Sequence, residues 1–325
     1  MGEVSAGGLD LSGRVAIVTG AGAGLGRSHA IALARYGAKV VVNDLGAAVD
    51  GTGGSPERAS EVVDEIRRQG GIAVAEHSSV ATPEGGAAIV QRALDEWGRV
   101  DIVVNNAGNL ELASFAKLDV REIDKLFDVH LGGAFYVTQP AYRSMLERRS
   151  GSIIFTISGL ATFGNLGAST YSAAKGGILG LMNTLKLEAA RHGIRVNAIA
   201  PMAQTRMGDD ANLYAEVSRR AGSPDLVSPA VVYLASDLCE LTGEVWSIGS
   251  GSVARLFTGR TAGIFKHPDT EGDLTAEDIA QSVDLIRDTT SFTMPESWPA
   301  EWEMVVDLVR RQSGAGPASG WTEVS

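Results

Sequence analysis

A single cysteine, Cys239, in a chain of 325 residues excludes an intrachain disulfide and a cysteine-rich metal site. It lies just past an apolar helical stretch at 225–237, so a buried structural thiol is expected. Basic residues are also in short supply, 28 Lys and Arg against 39 Asp and Glu, for a formal net charge of −11. That balance leaves no basic stripe to neutralise phosphates, which argues against nucleic acid and against an anionic membrane surface as partners. No run approaches the roughly 18 apolar residues needed to span a bilayer. The first residues, MGEVSAGGLDLSG, lack a basic n-region and an apolar h-region, so a cytoplasmic protein is expected. His29, His77, His130, His192 and His267 show no HExxH or paired spacing, so no metal is expected.

What is present is ordinary globular material, 44% hydrophobic and 21% charged, with forty glycines placed between apolar runs. Short apolar runs at 14–19, 39–43, 72–75, 100–104, 152–157, 194–199 and 245–248 read as buried strands. Helical patterns at about 25–37, 55–69, 83–97, 120–148, 170–192 and 225–237 separate them. The alternation predicts an α/β fold, a doubly wound parallel seven-stranded sheet (Rossmann fold) with helices on both faces. We expect one domain over 1–255 holding the nucleotide and catalytic sites, and a mostly helical C-terminal extension over 256–325. Within the extension, helices are predicted from Thr275 onward, where acidic residues fill the first turn, and over 299–311. Trp298 and Trp302 share a face there, as a packing or subunit contact would. The polar stretches 47–56 and 202–223 interrupt the alternation, and the second has the character of a lid.

The first strand runs into TGAGAGLG at 19–26, which opens a helix. Gly20 permits the tight turn, Gly24 lets backbone approach a pyrophosphate, and Gly26 lets helix and strand pack closely. Phosphate then meets the helix N-terminus, where free N–H groups and the dipole favour an anion. Asp44, 18 positions after Gly26, ends the second strand where an acid binds the adenosine ribose hydroxyls. A carboxylate there repels a 2′-phosphate, and position 23 is alanine, so NAD is expected over NADP. Arg27, at the start of the helix, is expected to lie on its surface or to brace a turn.

Tyr171 and Lys175 stand four positions apart on a predicted helix, about 5–6 Å apart at Cβ. An ammonium near a phenol favours the phenolate, so the tyrosine pKa is expected to fall toward working pH. Such a phenol suits proton exchange with a carbonyl or alcohol oxygen. No GxSxG elbow surrounds Ser158, which removes an acyl-transfer triad from consideration.

Taken in order, TGxxxGxG at 19–26, Asp44, NNAG at 105–108, Ser158 and YxxxK at 171–175 resemble the short-chain dehydrogenase/reductase family over about residues 12–255. The resemblance implies hydride transfer between a nicotinamide and a secondary alcohol or ketone, with Ser158, Tyr171 and Lys175 catalytic. It implies cofactor contacts from Gly20, Gly24, Leu25, Gly26, Asp44, Ser79, Val80, Asn106, Ala107, Gly108, Tyr171, Lys175, Pro201 and Thr205. It further implies that Asn105 stabilises the central strands, and that the chain forms a homodimer or homotetramer through the long helices containing His130 and Tyr171. Residues 42–46, 163–167 and 200–207 are similar to the subgroup formed by dehydrogenase modules of peroxisomal multifunctional enzymes and their stand-alone bacterial relatives. For that subgroup a (3R)-hydroxyacyl-CoA or hydroxysteroid substrate is implied.

Some positions depart from the pattern. His130 stands where most of the family has asparagine, though the subgroup shares the histidine; it could hold a water beyond Lys175 or be a packed residue. Met202 follows Pro201 in place of glycine, Ser79 replaces the usual aspartate, and residues 109–115 carry no basic side chain. A free apolar alcohol therefore remains a second substrate class. An NAD-binding sensor is a third reading, though a sensor needs none of Ser158, Tyr171 and Lys175.

Overall fold

Val15–Thr19 (β1) is buried along its whole length, as a strand covered on both faces must be. The structure, a computed structural model, describes residues 9–46, 55, 57–203 and 220–313. The chain divides after Leu256 into two compact units.

In the first unit β1 leads to Gly24–Arg35 (α1), Lys39–Asn43 (β2), Glu57–Arg68 (α2), Ile72–Glu76 (β3), Pro83–Trp97 (α3) and Ile102–Asn105 (β4). Then come Val120–Phe127 (α4), Gly133–Arg148 (α5), Gly151–Thr156 (β5), Gly159–Phe163 (α6), Ser169–Ala190 (α7), Ile194–Pro201 (β6), Ser228–Ala235 (α8) and Val245–Gly249 (β7). These seven strands are parallel, in the order β3-β2-β1-β4-β5-β6-β7. The order reverses between β1 and β4, and the crevice outside their C-terminal ends is where such sheets bind ligands.

An eighth strand, Ser252–Leu256 (β8), corrects the expected seven and pairs antiparallel with β7. Ser250 and Gly251 make the turn, both at positive φ (55° and 82°), as a tight two-residue hairpin requires. β8 is mostly exposed and so lacks the continuous apolar run that marks the other strands.

Side-chain alternation divides the core. Ala16 and Val18 of β1 face Leu33, Val62 and Leu234 on α1, α2 and α8. Val15 and Ile17 face Ile89, Val137 and Met182 on α3, α5 and α7. Phe155, fully buried on the second face, contributes about 1.5–3 kcal/mol relative to exposure.

The predicted helix over 120–148 is present and widens at one turn. Asp128–Gly132 forms a wider π-helical turn between α4 and α5, ending at the pair Gly132 and Gly133. Its effect is to carry His130 inward, to 2% exposure.

His29 on α1 is fully buried, with Nδ1 2.9 Å from Ser228 Oγ on α8. Ser228 Oγ lies 2.7 Å from Ser28 Oγ, which donates to Asp225 at 2.7 Å. Burial lowers the His29 pKa to about 3 from 6.5. The unfolded chain therefore takes up a proton as pH falls through 6.5 while the folded chain does not. Stability from this group is full above pH 6.5 and is lost progressively toward pH 3. Between pH 6.5 and 5 the loss is about 2 kcal/mol, from 1.36 kcal/mol per pH unit. Urea unfolding of His29→Leu at both pH values should show a smaller loss than the wild type; an equal loss would assign the acid sensitivity elsewhere.

The second unit contains Arg260–Thr261 (β9), Pro268–Glu271 (α9), Ala276–Gln281 (α10), Val283–Arg287 (α11), Phe292–Thr293 (β10) and Trp298–Ser313 (α12). Thr275 and Asp278 form a reciprocal capping box on α10. The helix predicted from Thr275 is interrupted at Ser282, which separates α10 from α11. Phe257 stacks on Phe292, and Trp298 and Trp302 lie 5.8 Å apart.

Candidate active site

At the C-terminal end of β1, Gly20 adopts φ +63° and Gly24 φ +54°, conformations that favour glycine. A Cβ on Gly26 would stand 2.2 Å from the Gly20 carbonyl oxygen, so the turn closes only around a bare Cα. Thr19 Oγ1 accepts the N–H groups of Asn106 and Ala107 at 3.0 and 3.1 Å. Asn106 Nδ2 in return donates to the carbonyls of Thr19 and Gly20, at 2.9 and 3.2 Å. The ends of β1 and β4 are thus tied by Asn106, whereas Asn105 bonds Thr138 on α5 at 2.9 Å. Thr19 heads the TGxxxGxG motif, whose spacing gives it no role; its signal is a hydroxyl at the last position of an apolar strand.

Asp44 accepts N–H bonds from Gly22 at 2.7 Å and Gly46 at 2.6 Å. A Cβ on Gly22 would sit 2.7 Å from the Asp44 carboxyl carbon, which explains the second glycine of the loop. Arg27, part-exposed on α1, pairs with Glu65 of α2. Across β2 and β3, Asn43 donates to Glu76 at 2.6 Å and to the Ser78 carbonyl at 2.9 Å, shaping the wall that carries Ser79 and Val80. Ser79 Oγ accepts from Ala81 N–H at 3.2 Å.

On the other side, Ser158 caps α6 by accepting the Leu160 N–H at 3.2 Å. Lys175 is buried, and its ammonium donates to the Thr156 carbonyl at 2.7 Å. Its nitrogen lies 5.6 Å from the centre of the Tyr171 ring. Burial lowers the Lys175 pKa to about 7. The Tyr171 phenol is pushed up by burial, and a hydrogen bond with Ser158 pulls it partly back. The expected lowering of the tyrosine is therefore not found: removing a phenolate from water outweighs the Ser158 bond, and Lys175 is directed at Thr156.

His130 meets Tyr171 edge-on, ring centres 5.2 Å apart at 84°. Its Nε2 lies 2.8 Å from the Asn109 carbonyl oxygen and 3.1 Å from the Asn109 nitrogen, while the buried Nδ1 has no partner. Burial and the Lys175 charge hold the ring neutral, far below its usual pKa. The imidazole fits because residue 108 is glycine; a Cβ there would stand 2.4 Å from His130 Cε1.

The glycine turn, Asp44, Ser158, Tyr171, Lys175 and His130 share one cavity of about 570 Å³. Of the residues expected from sequence, Gly20, Gly24, Leu25, Gly26, Asp44, Ser79, Val80, Asn106, Ala107, Gly108, Ser158, Tyr171, Lys175 and Pro201 all line it. Thr205 lies outside the described residues. Sequence reasoning missed Leu110, Lys125, Asp128 and Leu160 on the same wall. The cradle also fits a dinucleotide phosphate, since Ala23 caps α1 with no side chain accepting its first N–H groups.

A family profile described as short chain dehydrogenase matches residues 14–213. The chain belongs to the short-chain dehydrogenase/reductase family. It is thus an oxidoreductase of a family that binds a nicotinamide cofactor and acts on small molecules. A short-chain type dehydrogenase/reductase of Mycobacterium tuberculosis is 45% identical over 264 residues, covering 81% of this chain and 92% of that one. Peroxisomal multifunctional enzyme type 2 of Mus musculus is 39% identical over 308 residues, 95% of this chain but 41% of that one. The chain therefore spans less than half of that relative. Among solved structures, a 7α-hydroxysteroid dehydrogenase in complex with NADH and 7-oxo glycochenodeoxycholic acid superposes with a TM-score of 0.66 at 29% identity, over 76% of this chain and 97% of that one. As to other site types, no helix among the described residues is long and apolar enough to cross a membrane. The described residues also hold no cluster of three or more His, Cys, Asp or Glu that could hold a metal ion.

Proposed function

We propose that this short-chain dehydrogenase/reductase uses NAD to interconvert a secondary alcohol and its ketone. The observation that carries the reading is the convergence of Ser158, Tyr171 and Lys175 on the cavity formed by the glycine turn and Asp44. In the oxidising direction the alcohol carbon gives up a hydride and its oxygen gives up a proton. A bound nicotinamide supplies the hydride acceptor. Tyr171 takes the proton from the substrate oxygen, Ser158 holds that oxygen in line, and Lys175 carries positive charge to the phenol and the nicotinamide ribose. The open N–H groups at the start of α1 would hold the pyrophosphate.

Asp44 supports NAD, because a carboxylate at the adenosine ribose opposes a 2′-phosphate. Arg58 also stands beside the turn, its Cβ 2.9 Å from where a Gly22 Cβ would lie, so both cofactors are compared in the test. We assign residues 1–255 to the NAD-binding catalytic domain and 256–325 to an extension. The resemblance to the multifunctional-enzyme subgroup supports a (3R)-hydroxyacyl-CoA or a hydroxysteroid as substrate, with a free apolar alcohol as the alternative.

Initial rates of cofactor reduction with a panel of secondary alcohols test the reading. We expect kcat/KM to favour NAD over NADP by at least about tenfold, equivalent to 1.4 kcal/mol. Preference for NADP would overturn the cofactor assignment. Binding of NAD without turnover of any alcohol would favour a sensor.

A further inference from the structure

We infer that Glu76 is a positioning residue for the adenosine half of the cofactor. It fixes the wall on which that half rests and so sets how tightly the dinucleotide binds, while taking no part in hydride transfer. The inference rests on the proposed use of NAD and concerns which residue prepares its adenosine site.

Asn43 and Glu76 end β2 and β3 and stand opposite one another in the parallel register. Just beyond them the chain puts Asp44, Ser78, Ser79 and Val80 on the cavity wall, with Glu76 one layer behind. Three bonds meet at Glu76. Its carboxylate accepts from Asn43 Nδ2 at 2.6 Å and from the Ser78 N–H at 2.9 Å. Its carbonyl accepts the Asp44 N–H at 3.0 Å. Asn43 Nδ2 also donates to the Ser78 carbonyl at 2.9 Å, so Ser78 is held at both its N–H and its C=O. Asp44 in turn accepts the Gly22 N–H of the glycine turn. One side chain therefore ties the segment bearing Asp44 to the segment bearing Ser79 and Val80.

Glu76 is buried, 9% exposed, and its hydrogen bonds among the described residues come from neutral groups. Burying a carboxylate against neutral donors is costly, and joining two strand ends needs no charge, since a pair of amides would serve. What the carboxylate adds is two acceptor oxygens for two donors, each bond stronger than its neutral counterpart. The wall then holds one arrangement before the cofactor arrives, and little ordering is left to oppose binding. A loosened wall lowers the apparent affinity by the fraction of time it spends in that arrangement. Ser158 and Tyr171 follow β5, which lies beyond β1 and β4 from this edge of the sheet. The chemical step is therefore outside the reach of Glu76.

Calorimetric titration with ADP-ribose, which carries the adenosine half without the nicotinamide, tests this beside steady-state rates with NAD and the best alcohol of the panel. Glu76→Gln should raise both the ADP-ribose Kd and the KM for NAD by about tenfold, with kcat at saturating NAD within about twofold of wild type. Glu76→Asp keeps the charge but is one methylene too short to reach both donors. It should show the same split, and it carries the test if Glu76→Gln does not fold. Unchanged ADP-ribose affinity in either variant would overturn the inference, as would a fall in kcat as large as the rise in KM. A wild type that binds no ADP-ribose would sink the cofactor assignment itself. If ADP-ribose binds but no alcohol reduces NAD, the alcohol chemistry falls and the titration still decides the role of Glu76.

Discussion

Tyr171→Phe is expected to lower kcat by about 10²–10⁴-fold, the usual contribution of a positioned proton donor and acceptor. Removing one oxygen leaves the ring, its edge-on contact with His130 and the packing of α7 in place. NAD affinity should therefore stay within a few-fold of wild type, which calorimetric titration can read beside the kinetics. The tyrosine is a cleaner target than Ser158, whose Oγ also caps α6, so that a serine variant mixes chemistry with local stability. Equal rates in Tyr171→Phe and wild type would remove the tyrosine from the mechanism.

Lys175→Met should make the apoprotein more stable while disabling it. Burial holds the Lys175 pKa at about 7 against 10.5 for an ordinary lysine. The unfolded chain keeps its proton up to pH 10.5, whereas the folded site releases it above 7. The group therefore opposes folding progressively as pH falls from 10.5, and by pH 7 the opposition is nearly complete. At 1.36 kcal/mol per unit this is on the order of a few kcal/mol, reduced by about 1 kcal/mol for the lost bond to the Thr156 carbonyl. Methionine fills similar volume without the charge. Urea midpoints at pH 7 should rise in Lys175→Met, and the gain should shrink by pH 10. A gain that does not depend on pH would point to packing instead of charge. Activity should fall at least about 10²-fold, since the phenol loses its cationic neighbour. A stable, inactive variant would show that the site holds a strained charge for function.

The parts legible in sequence are those whose signal is local. The glycine turn needs bare Cα atoms at fixed spacing, Asp44 ends an apolar strand, and Tyr171 and Lys175 share one helix face. The seven parallel strands were visible because burial on both faces demands continuous apolar runs. β8 was not, since an exposed edge strand made by a two-residue turn carries no such run. The wide turn at Asp128–Gly132 had only Gly132 and Gly133 as its mark, inside a pattern that reads as one helix. Thr19 and Asn106 stand in quoted motifs, but the bonds between them, like the Asn43–Glu76 pair, join strands distant in sequence, and no spacing rule reports such bonds. The tyrosine's shift was misjudged because it depends on burial, and four-residue spacing says nothing of how deeply a phenol sits.

Gly108 and His130, 22 positions apart, occupy a single slot between them: what one residue lacks in volume the other uses. The two positions should therefore tolerate change only as a pair. Alanine at 108 beside histidine should displace the ring from Tyr171, and a smaller residue at 130 beside glycine should open a void. Combined, the two changes should partly cancel, with an interaction energy of about 0.5–3 kcal/mol in a double-mutant cycle. A designer who wishes to swap the histidine must begin at the glycine.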